Sequence, residues 1–270
     1  MRKILNIFII TAVIFSLAGF INKSVAQSNP QNKDVYNEHL MMATLYQQHA
    51  AECKALYYQA FNLAKMMLDK DLANKKLKGK RAVVVDIDET ILDNSPFEAA
   101  MMSKNASYPE DWYVWTSMAS AKALPGALEF LNYAAGKGVA VFYVTNRTEK
   151  ETAATLKNLR AEKFPMADTL HLIPKKTESS KESRRLKIME KYRIVLLAGD
   201  NLTDFSAVFD KTSLETRDAK TTELRNEFGK RFIVLPNAMY GDWERAMYDL
   251  YKSDPTKDKS DIRKLLLKDF

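Results

Sequence analysis

Residues 82–90 read AVVVDIDET, an apolar run that leads into two aspartates two positions apart. The run Ala82–Val85 is rich in β-branched residues and has the length of a buried strand. Because side chains alternate along an extended chain, Asp86 and Asp88 lie on the same side of it. Burying two carboxylates together is costly unless a cation neutralises them. The stretch therefore indicates a buried strand that ends at a site for a hard divalent metal and phosphate chemistry.

Composition is typical of a globular protein with ample core. The chain has 270 residues, of which 46% are hydrophobic and 28% are charged. This length accommodates one large domain or two small ones. Cys53 is the single cysteine, which excludes an intrachain disulfide, and we expect its side chain to be a small buried hydrophobe.

The first 26 residues differ from the rest. Arg2 and Lys3 precede an almost unbroken apolar run, Ile4 to Phe20, and Ser24-Val25-Ala26 forms a small-x-small cleavage site. This pattern predicts a secretory signal peptide over residues 1–26. A retained membrane anchor is the alternative, although the run is marginal for a spanning helix.

The net charge of the chain excludes few classes of protein and gives no reason to expect a polyanionic partner. Residues 1–26 carry three basic residues and no acids, so their removal lowers the formal net charge from +7 to +4. This mild excess is spread along the chain and gives no argument for nucleic-acid binding.

Apolar strands alternate with helical segments along the remaining chain. Asp34 to about Asn74 has no Gly or Pro and predicts one long helix. Alternation of this kind predicts an α/β fold with a Rossmann-like parallel sheet and helices on both faces. The predicted strands are Ala82–Ile87, Val139–Val144, Leu170–Ile173, Ile194–Ala198 and Phe232–Leu235. The predicted helices after the first strand are Glu110–Ala121, Ala127–Ala135, a segment that begins at the capping-box sequence Thr148–Glu151 and runs to about Lys163, Glu178–Lys191, and a short C-terminal helix from Ser260.

Polar residues gather where several predicted strands end, namely Asp86, Asp88, Thr145, Asp200 and Asp204. Ligands bind at this edge of open α/β sheets. A calcium-binding EF-hand loop that begins at Asp86 is excluded. Its sixth residue would be Ile91, where an EF-hand needs Gly, and its twelfth would be Phe97, where it needs Glu.

The ordered set resembles the haloacid dehalogenase superfamily of phosphotransferases. Residues 86–90 match its first motif, Thr145 the second, Lys181 the third, and residues 199–204 (GDNLTD) the fourth. The longer strings DIDETILDNSP (86–96), FYVTNR (142–147), GDNLTDF (199–205) and LPNAMYGDW (235–243) resemble the bacterial class C acid phosphatases, the lipoprotein e family of nucleotidases. The resemblance covers about residues 46–252.

This resemblance implies a haloacid dehalogenase-like core with a small helical cap domain. We expect a signal peptide (1–26), an N-terminal helical segment that packs with the cap (27–80), a phosphatase core (81–252) with a helical insert at about 94–124, and a charged tail (253–270). Many family members are lipoproteins, but Leu17-Ala18-Gly19 is followed here by Phe20 instead of the lipid-bearing Cys. We therefore expect a periplasmic or secreted protein without a stable membrane anchor.

The resemblance also implies catalytic roles. Asp86 would attack phosphorus to form an aspartyl-phosphate, and Asp88 would protonate the leaving group and then activate water. Mg²⁺ would be held by Asp86, the backbone carbonyl of Asp88, and Asp200, with Asp204 orienting metal-bound water. Thr145 would donate a hydrogen bond to the phosphoryl group.

Lys181 would balance the negative charge of the nucleophile and phosphate. The third motif alone would also allow Lys176, although the spacing of residues 179–184 favours Lys181.

Five residues are candidates for substrate binding: Asn94, Trp112, Asn146, Arg147 and Tyr240. Trp112 and Tyr240 match positions at which family members sandwich a base or aromatic ring. We expect the other two tryptophans, Trp115 and Trp243, to be core aromatics.

The resulting prediction is a secreted Mg²⁺-dependent acid phosphatase that hydrolyses small phosphomonoesters, in particular nucleoside monophosphates. Two alternatives remain at this point: a non-catalytic storage or binding protein on the same scaffold, and a phosphotransferase. A homodimer is one assembly that the sequence allows.

Overall fold

The computed structural model describes residues 38–270. The predicted signal peptide and the start of the predicted N-terminal helix lie outside these residues. After a short 3₁₀ turn, Glu38–Leu40, the described chain forms the following α-helices: α1 (Met41–His49), α2 (Ala51–Ala73), α3 (Ser95–Lys104), α4 (Trp112–Met118), α5 (Ala127–Gly136), α6 (Thr152–Ala161), α7 (Glu182–Met189), α8 (Leu214–Glu223), α9 (Asp242–Asp249) and α10 (Lys259–Leu266). Its strands are β1 (Arg81–Val85), β2 (Leu92–Asp93), β3 (Lys122–Ala123), β4 (Ala140–Thr148), β5 (Leu172–Lys175), β6 (Arg193–Gly199) and β7 (Phe232–Val234).

Within residues 38–270, five strands form a parallel sheet in the order β5-β4-β1-β6-β7. Strand β1 occupies the centre, with β4 and β6 as its neighbours. This position explains its composition, because a central strand buried on both faces needs apolar side chains in both directions. The predicted α/β class with a parallel sheet is confirmed.

Helices cover both faces of the sheet. Val83 and Val85 of β1 pack with residues of α2 and α5 in one apolar cluster. Ala82 and Val84 belong to a second cluster that includes Ile188 of α7. This division follows from the alternation of side chains along an extended strand.

The prediction of one continuous helix over residues 34–74 is wrong, because residues 41–73 form two helices. Ala50 adopts an extended conformation (φ −75°, ψ 122°) and separates α1 from α2. Neither Gly nor Pro causes this break. The two helices have different partners: α1 contacts α3, whereas α2 contacts α5, β6 and β7. Tertiary packing therefore decides the break.

A small antiparallel pair lies beside the main sheet. Leu92 of β2 pairs with Ala123 of β3, and α3 and α4 lie between these strands in the chain. The pairing brings the two ends of this helical segment together next to the end of β1. The domain boundaries expected from the sequence remain predictions.

Strand β4 is longer than the predicted strand over residues 139–144. It continues through Thr145 to Thr148, which pairs with Lys175 of β5. The predicted capping box follows directly, since the Glu151 side chain accepts a hydrogen bond from the Thr148 backbone N–H at 2.7 Å. This confirmed cap fixes the turn from β4 into α6.

Candidate active site

The parallel sheet brings four predicted site residues to one edge. Asp86 directly follows the central strand β1, Thr145 lies near the end of β4, and Asp200 directly follows β6. The Asp86 backbone N–H donates to the Ala198 carbonyl of β6 at 3.0 Å, which continues the strand ladder. Lys181 immediately precedes α7 and points into the same region, where it contacts Asp86.

Three carboxylates converge at this edge. Oxygen atoms of Asp86, Asp200 and Asp204 lie within 4.8 Å of one another. The ammonium group of Lys181 is buried, pairs with Asp86, and lies 2.6 Å from Oδ1 of Asp204. By contrast, the alternative candidate Lys176 is 75% exposed and pairs with Glu149. The geometry thus brings Lys181, and not Lys176, to the carboxylates.

Gly199 allows this approach. A Cβ atom at residue 199 would lie only 2.3 Å from Oδ2 of Asp204. The same Oδ2 accepts a hydrogen bond from the Asn201 backbone N–H at 3.0 Å. The glycine at the end of β6 therefore reflects a steric need, because only glycine leaves room for the Asp204 carboxylate.

The surroundings of Asp86 and Asp200 disfavour the charged form of both carboxyl groups. Burial raises the pKa of Asp86 well above its usual range; Lys181 partly offsets this, and Asp204 and Asp200 add to it. Burial also raises the pKa of Asp200 to about 7, with a further contribution from Asp204. Burial is thus the largest cause of both raised pKa values, and the neighbouring carboxylates add to it.

Two neighbours orient the Asp200 carboxylate. The Thr90 hydroxyl donates to its Oδ1 at 3.0 Å, and the Asn237 side-chain amide donates to its Oδ2 at 2.9 Å. Sequence reasoning assigned neither residue a role. Both lie in strings that carried the family resemblance, residues 86–96 and 235–243, and this was the available signal.

Asp88 has a different environment. Arg147 forms an ion pair with it, from Nη2 to Oδ1 at 2.7 Å, and Asn94 donates from Nδ2 to the same oxygen at 2.8 Å. Burial tends to lower the pKa of the Arg147 guanidinium, but the adjacent Asp88 more than offsets this, so that the pKa is raised. The side chains of Asn94 and Arg147, which the sequence placed among substrate-binding residues, are thus directed at Asp88.

Thr145 is buried and its hydroxyl oxygen accepts a hydrogen bond from the Arg147 backbone N–H at 3.0 Å. This leaves the hydroxyl proton of Thr145 available for another acceptor. Asn146 is exposed, and its Oδ1 accepts from Arg184 at 2.8 Å. Arg184 also donates to the Thr145 carbonyl at 2.7 Å. Sequence reasoning missed Arg184, which fixes the end of β4 against α7.

Glu89 and Tyr57 were also missed. Glu89 is fully buried in a left-handed conformation (φ 55°), and its carboxylate accepts from the Asn94 backbone N–H at 2.7 Å. Burial raises its pKa well above the usual range, and the Asp88 charge adds to this. The Tyr57 hydroxyl lies 2.9 Å from the carbonyl oxygens of both Glu89 and Pro236. These contacts tie α2 to the loops that follow β1 and β7.

The predicted aromatic residues occupy mixed positions. Trp112 and Tyr240 are half-buried. Trp112 packs edge-on against Phe97 at 5.0 Å and lies over the Arg147 guanidinium at 5.7 Å. Trp243 is 39% exposed, so its expected place in the core is wrong; it lies at the start of α9, next to Gly241. No described contact joins the rings of Trp112 and Tyr240 within residues 38–270.

The donor set fits a divalent metal ion. Oxygen ligands are those that Mg²⁺ and Ca²⁺ prefer, and the cluster offers three carboxylates whose mutual repulsion a bound cation would relieve. Asp204 belongs to the cluster, although the sequence predicted it farther from the ion. The Asp88 carboxylate faces Arg147 instead, which is compatible with the expected ligand role of its backbone carbonyl.

The arrangement combines groups needed for phosphoryl transfer. A carboxylate at the end of β1 lies beside a buried cation, and a second carboxylate two residues later is held separately. Such positioning and charge neutralisation are the main requirements for transfer of a phosphoryl group. No helix within the described residues 38–270 has the length and apolar character needed to cross a membrane.

Comparison with known proteins agrees with this geometry. The family model described as HAD superfamily, subfamily IIIB (acid phosphatase) matches residues 17–243. Two solved structures of the class C acid phosphatase from Bacillus anthracis, one with tungstate bound, are similar to this chain. Each has 41% sequence identity and a TM-score of 0.83, and the match covers 87% of this chain and 99% of the other. These matches favour the phosphatase interpretation over a storage protein.

The fold and its strand-end carboxylates thus agree with the family match, and the chain belongs to the haloacid dehalogenase superfamily, subfamily IIIB acid phosphatases, which are phosphomonoesterases.

Proposed function

We propose that this enzyme is an exported, Mg²⁺-dependent acid phosphatase that hydrolyses nucleoside monophosphates through an aspartyl-phosphate. The observation that carries the proposal is the convergence of Asp86, Asp200 and Asp204 within 4.8 Å, with Lys181 against Asp86. A bound Mg²⁺ would neutralise these carboxylates and the phosphate, so that an anionic nucleophile can approach phosphorus.

In the first step an Asp86 oxygen forms a bond to phosphorus, and the bond between phosphorus and the leaving oxygen breaks. Asp88 gives its proton to that oxygen, so the product is an alcohol or nucleoside. Thr145 donates to a phosphoryl oxygen, and Lys181 stabilises the negative charge around Asp86.

In the second step water attacks the phosphorus of the aspartyl-phosphate. Asp88 accepts the water proton, the bond to Asp86 breaks, and inorganic phosphate is released. Both residues then return to their starting protonation states. The separate environments of Asp86 and Asp88 support this division of roles, because only Asp86 lies next to Lys181 and the acidic cluster.

Nucleoside monophosphates are proposed because two half-buried aromatic residues, Trp112 and Tyr240, match positions at which family members sandwich a base or aromatic ring. Trp112 begins α4, and Tyr240 precedes α9. A nucleobase would stack on such rings, with a contribution of roughly 1–3 kcal/mol per base.

A panel of phosphate esters tests the substrate class. We would measure kcat/KM with Mg²⁺ for nucleoside monophosphates, 4-nitrophenyl phosphate and glycerol phosphate. Nucleotides should exceed glycerol phosphate by about 10-fold or more, as one stacking face predicts. Equal kcat/KM values would contradict the nucleotide proposal while leaving the phosphatase intact.

Export follows from the pattern of residues 1–26, which we propose to be removed after Ala26. N-terminal sequencing of the protein from its native host should begin at Gln27, with no acyl group on the new terminus. A terminus at Met1, or a lipid found by mass spectrometry, would contradict export by cleavage.

A further inference from the structure

The Asp88 carboxylate is held asymmetrically. Its Oδ1 accepts hydrogen bonds from Arg147 Nη2 at 2.7 Å, Arg147 Nε at 3.0 Å and Asn94 Nδ2 at 2.8 Å. Within residues 38–270, the only hydrogen-bond donor to its Oδ2 is the same Arg147 Nε, at 3.3 Å. Three donors on Oδ1 fix the plane of the carboxylate, so Oδ2 is the oxygen left to exchange a proton with a substrate.

Asn94 has its own support from the helical insert. The Trp115 indole N–H, on α4, donates to Asn94 Oδ1 at 2.8 Å. Because an indole N–H can only donate, Asn94 must turn its carbonyl oxygen to Trp115 and its NH₂ group to Asp88. Asn94 is fully buried, and its backbone N–H is bound to Glu89. Arg147 Nη2 is a second donor to Asn94 Oδ1, at the longer distance of 3.4 Å, so the Trp115 indole makes the shorter of the two hydrogen bonds that orient the amide.

Arg147, the other residue that binds Asp88, is held by contacts with α6 and with α4. Its side chain is buried, and Nη1 lies 3.3 Å from the Thr155 hydroxyl of α6. The ring of Trp112, also on α4, lies over its guanidinium at 5.7 Å. Both tryptophans of α4 therefore contact a residue that holds Asp88.

We propose that Trp115 is a positioning residue for the proton-transfer chemistry of Asp88, and that it acts through Asn94. Through this relay the insert helix α4, which also bears the substrate-stacking candidate Trp112, orients the carboxylate of the core. The inference rests on the proposed function of Asp88 as acid and base. It assigns Trp115 a role in turnover rather than in core packing alone.

Trp115→Phe tests the relay, because it removes the indole N–H and keeps an aromatic ring. Misplacement of Asp88 should lower kcat/KM, which reports formation of the aspartyl-phosphate and not its hydrolysis, only where the leaving group needs a proton. We expect kcat/KM for glycerol phosphate to fall by about 10-fold, while kcat/KM for 4-nitrophenyl phosphate changes by less than about 2-fold. Tyr113→Phe, at an exposed position on the same helix, is the matched control and should change neither activity.

Asp88→Asn, measured on the same two substrates, separates this inference from the function on which it rests. If Asp88→Asn discriminates between the leaving groups but folded Trp115→Phe does not, the relay is wrong and the acid assignment stands. If Asp88→Asn also lowers hydrolysis of the two substrates equally, both the Trp115 relay and the acid role of Asp88 are wrong. Should Trp115→Phe fail to fold, Asn94→Ser removes the Nδ2 donor and must give the same selective loss. An equal loss of kcat/KM on both substrates would mean a merely structural role.

Discussion

Asp86 and Asp88 leave the same strand two residues apart, yet their carboxylates lie in opposite electrostatic surroundings. Asp86 faces two further acids and shares Lys181 with Asp204. Asp88 faces a buried guanidinium and an amide donor. One side of the site therefore needs additional positive charge, whereas the charge of Asp88 is already balanced by the protein. This difference supports the proposed roles of Asp86 as nucleophile and Asp88 as proton carrier.

The largest effect should follow from removal of the carboxylate on the acidic side. Asp86→Asn removes the attacking oxygen and one ligand of the cluster, so turnover should fall by about 10⁴-fold or more. Steady-state rates on 4-nitrophenyl phosphate measure this. Asp218→Asn, at an exposed position on α8, is the control and should retain full activity. Substantial turnover by folded Asp86→Asn would mean that another group attacks phosphorus.

Removal of a divalent metal by a chelator should also lower activity, because the metal would bind at the acidic cluster around Asp86. The clustered carboxylates need a cation that Lys181 alone does not supply, so excess EDTA should lower activity by about 10³-fold, and Mg²⁺ should restore it. Assays in a titration of free Mg²⁺ give the dependence. Full activity in excess chelator would refute a metal-dependent reaction.

Asp88→Asn should have a smaller and more selective effect. The amide cannot carry a proton, but the acidic cluster remains, so glycerol phosphate hydrolysis should fall by about 10²- to 10³-fold. The loss on 4-nitrophenyl phosphate should be smaller, because nitrophenolate leaves without a proton. Phosphate binding, followed by competitive inhibition, should persist. If glycerol phosphate is hydrolysed normally, the two carboxylates do not have different roles.

Trp112→Ala tests the substrate side of the comparison. Loss of one stacking face should raise KM for nucleoside monophosphates by roughly 5- to 150-fold and leave kcat on glycerol phosphate near that of the unmodified enzyme. Because Trp112 also lies over Arg147, a fall of kcat on glycerol phosphate would show that it acts through Asp88 instead. Thermal unfolding of the variant excludes a general loss of stability.

The smallest effect on turnover is expected at Glu98 of α3, a buried acid outside the site. Burial raises its pKa to about 7, and Glu244 adds to this. The Glu98 carboxyl has a pKa near 4.5 in the unfolded chain, so the folded state binds its proton more tightly. The protonated Glu98 therefore contributes to stability in full below pH 4.5, and this contribution is lost as the pH rises through about 7.

Glu98→Gln should remove that pH dependence. At pH 8 we expect it to be more stable than the unmodified protein by on the order of 3 kcal/mol, and at pH 4.5 the two should be nearly equal. Urea unfolding at both values measures the difference, with the exposed Glu110→Gln as control. A stability difference that does not depend on pH would contradict the raised pKa.

Local patterns determined much of the fold. The β-branched run at residues 82–85 predicts a strand buried on both faces, and its central place in the sheet agrees. The capping box at Thr148 and Glu151 was equally predictable, because its hydrogen bonds join residues three positions apart. By contrast, the break at Ala50 has no local signal, since it depends on which partners α1 and α2 meet.

The candidate site divides in the same way. The sequence by itself predicted which acids and which lysine lie together at the strand ends, because strand ends and family motifs are encoded in short strings. Only the tertiary structure decided where the side chains point. Arg147 lies 59 residues from Asp88 in the chain and meets it because β4 pairs with β1. Trp115 reaches Asn94 across 21 residues because β2 and β3 close the insert. Such contacts depend on the neighbours that folding brings together, and no local periodicity encodes them.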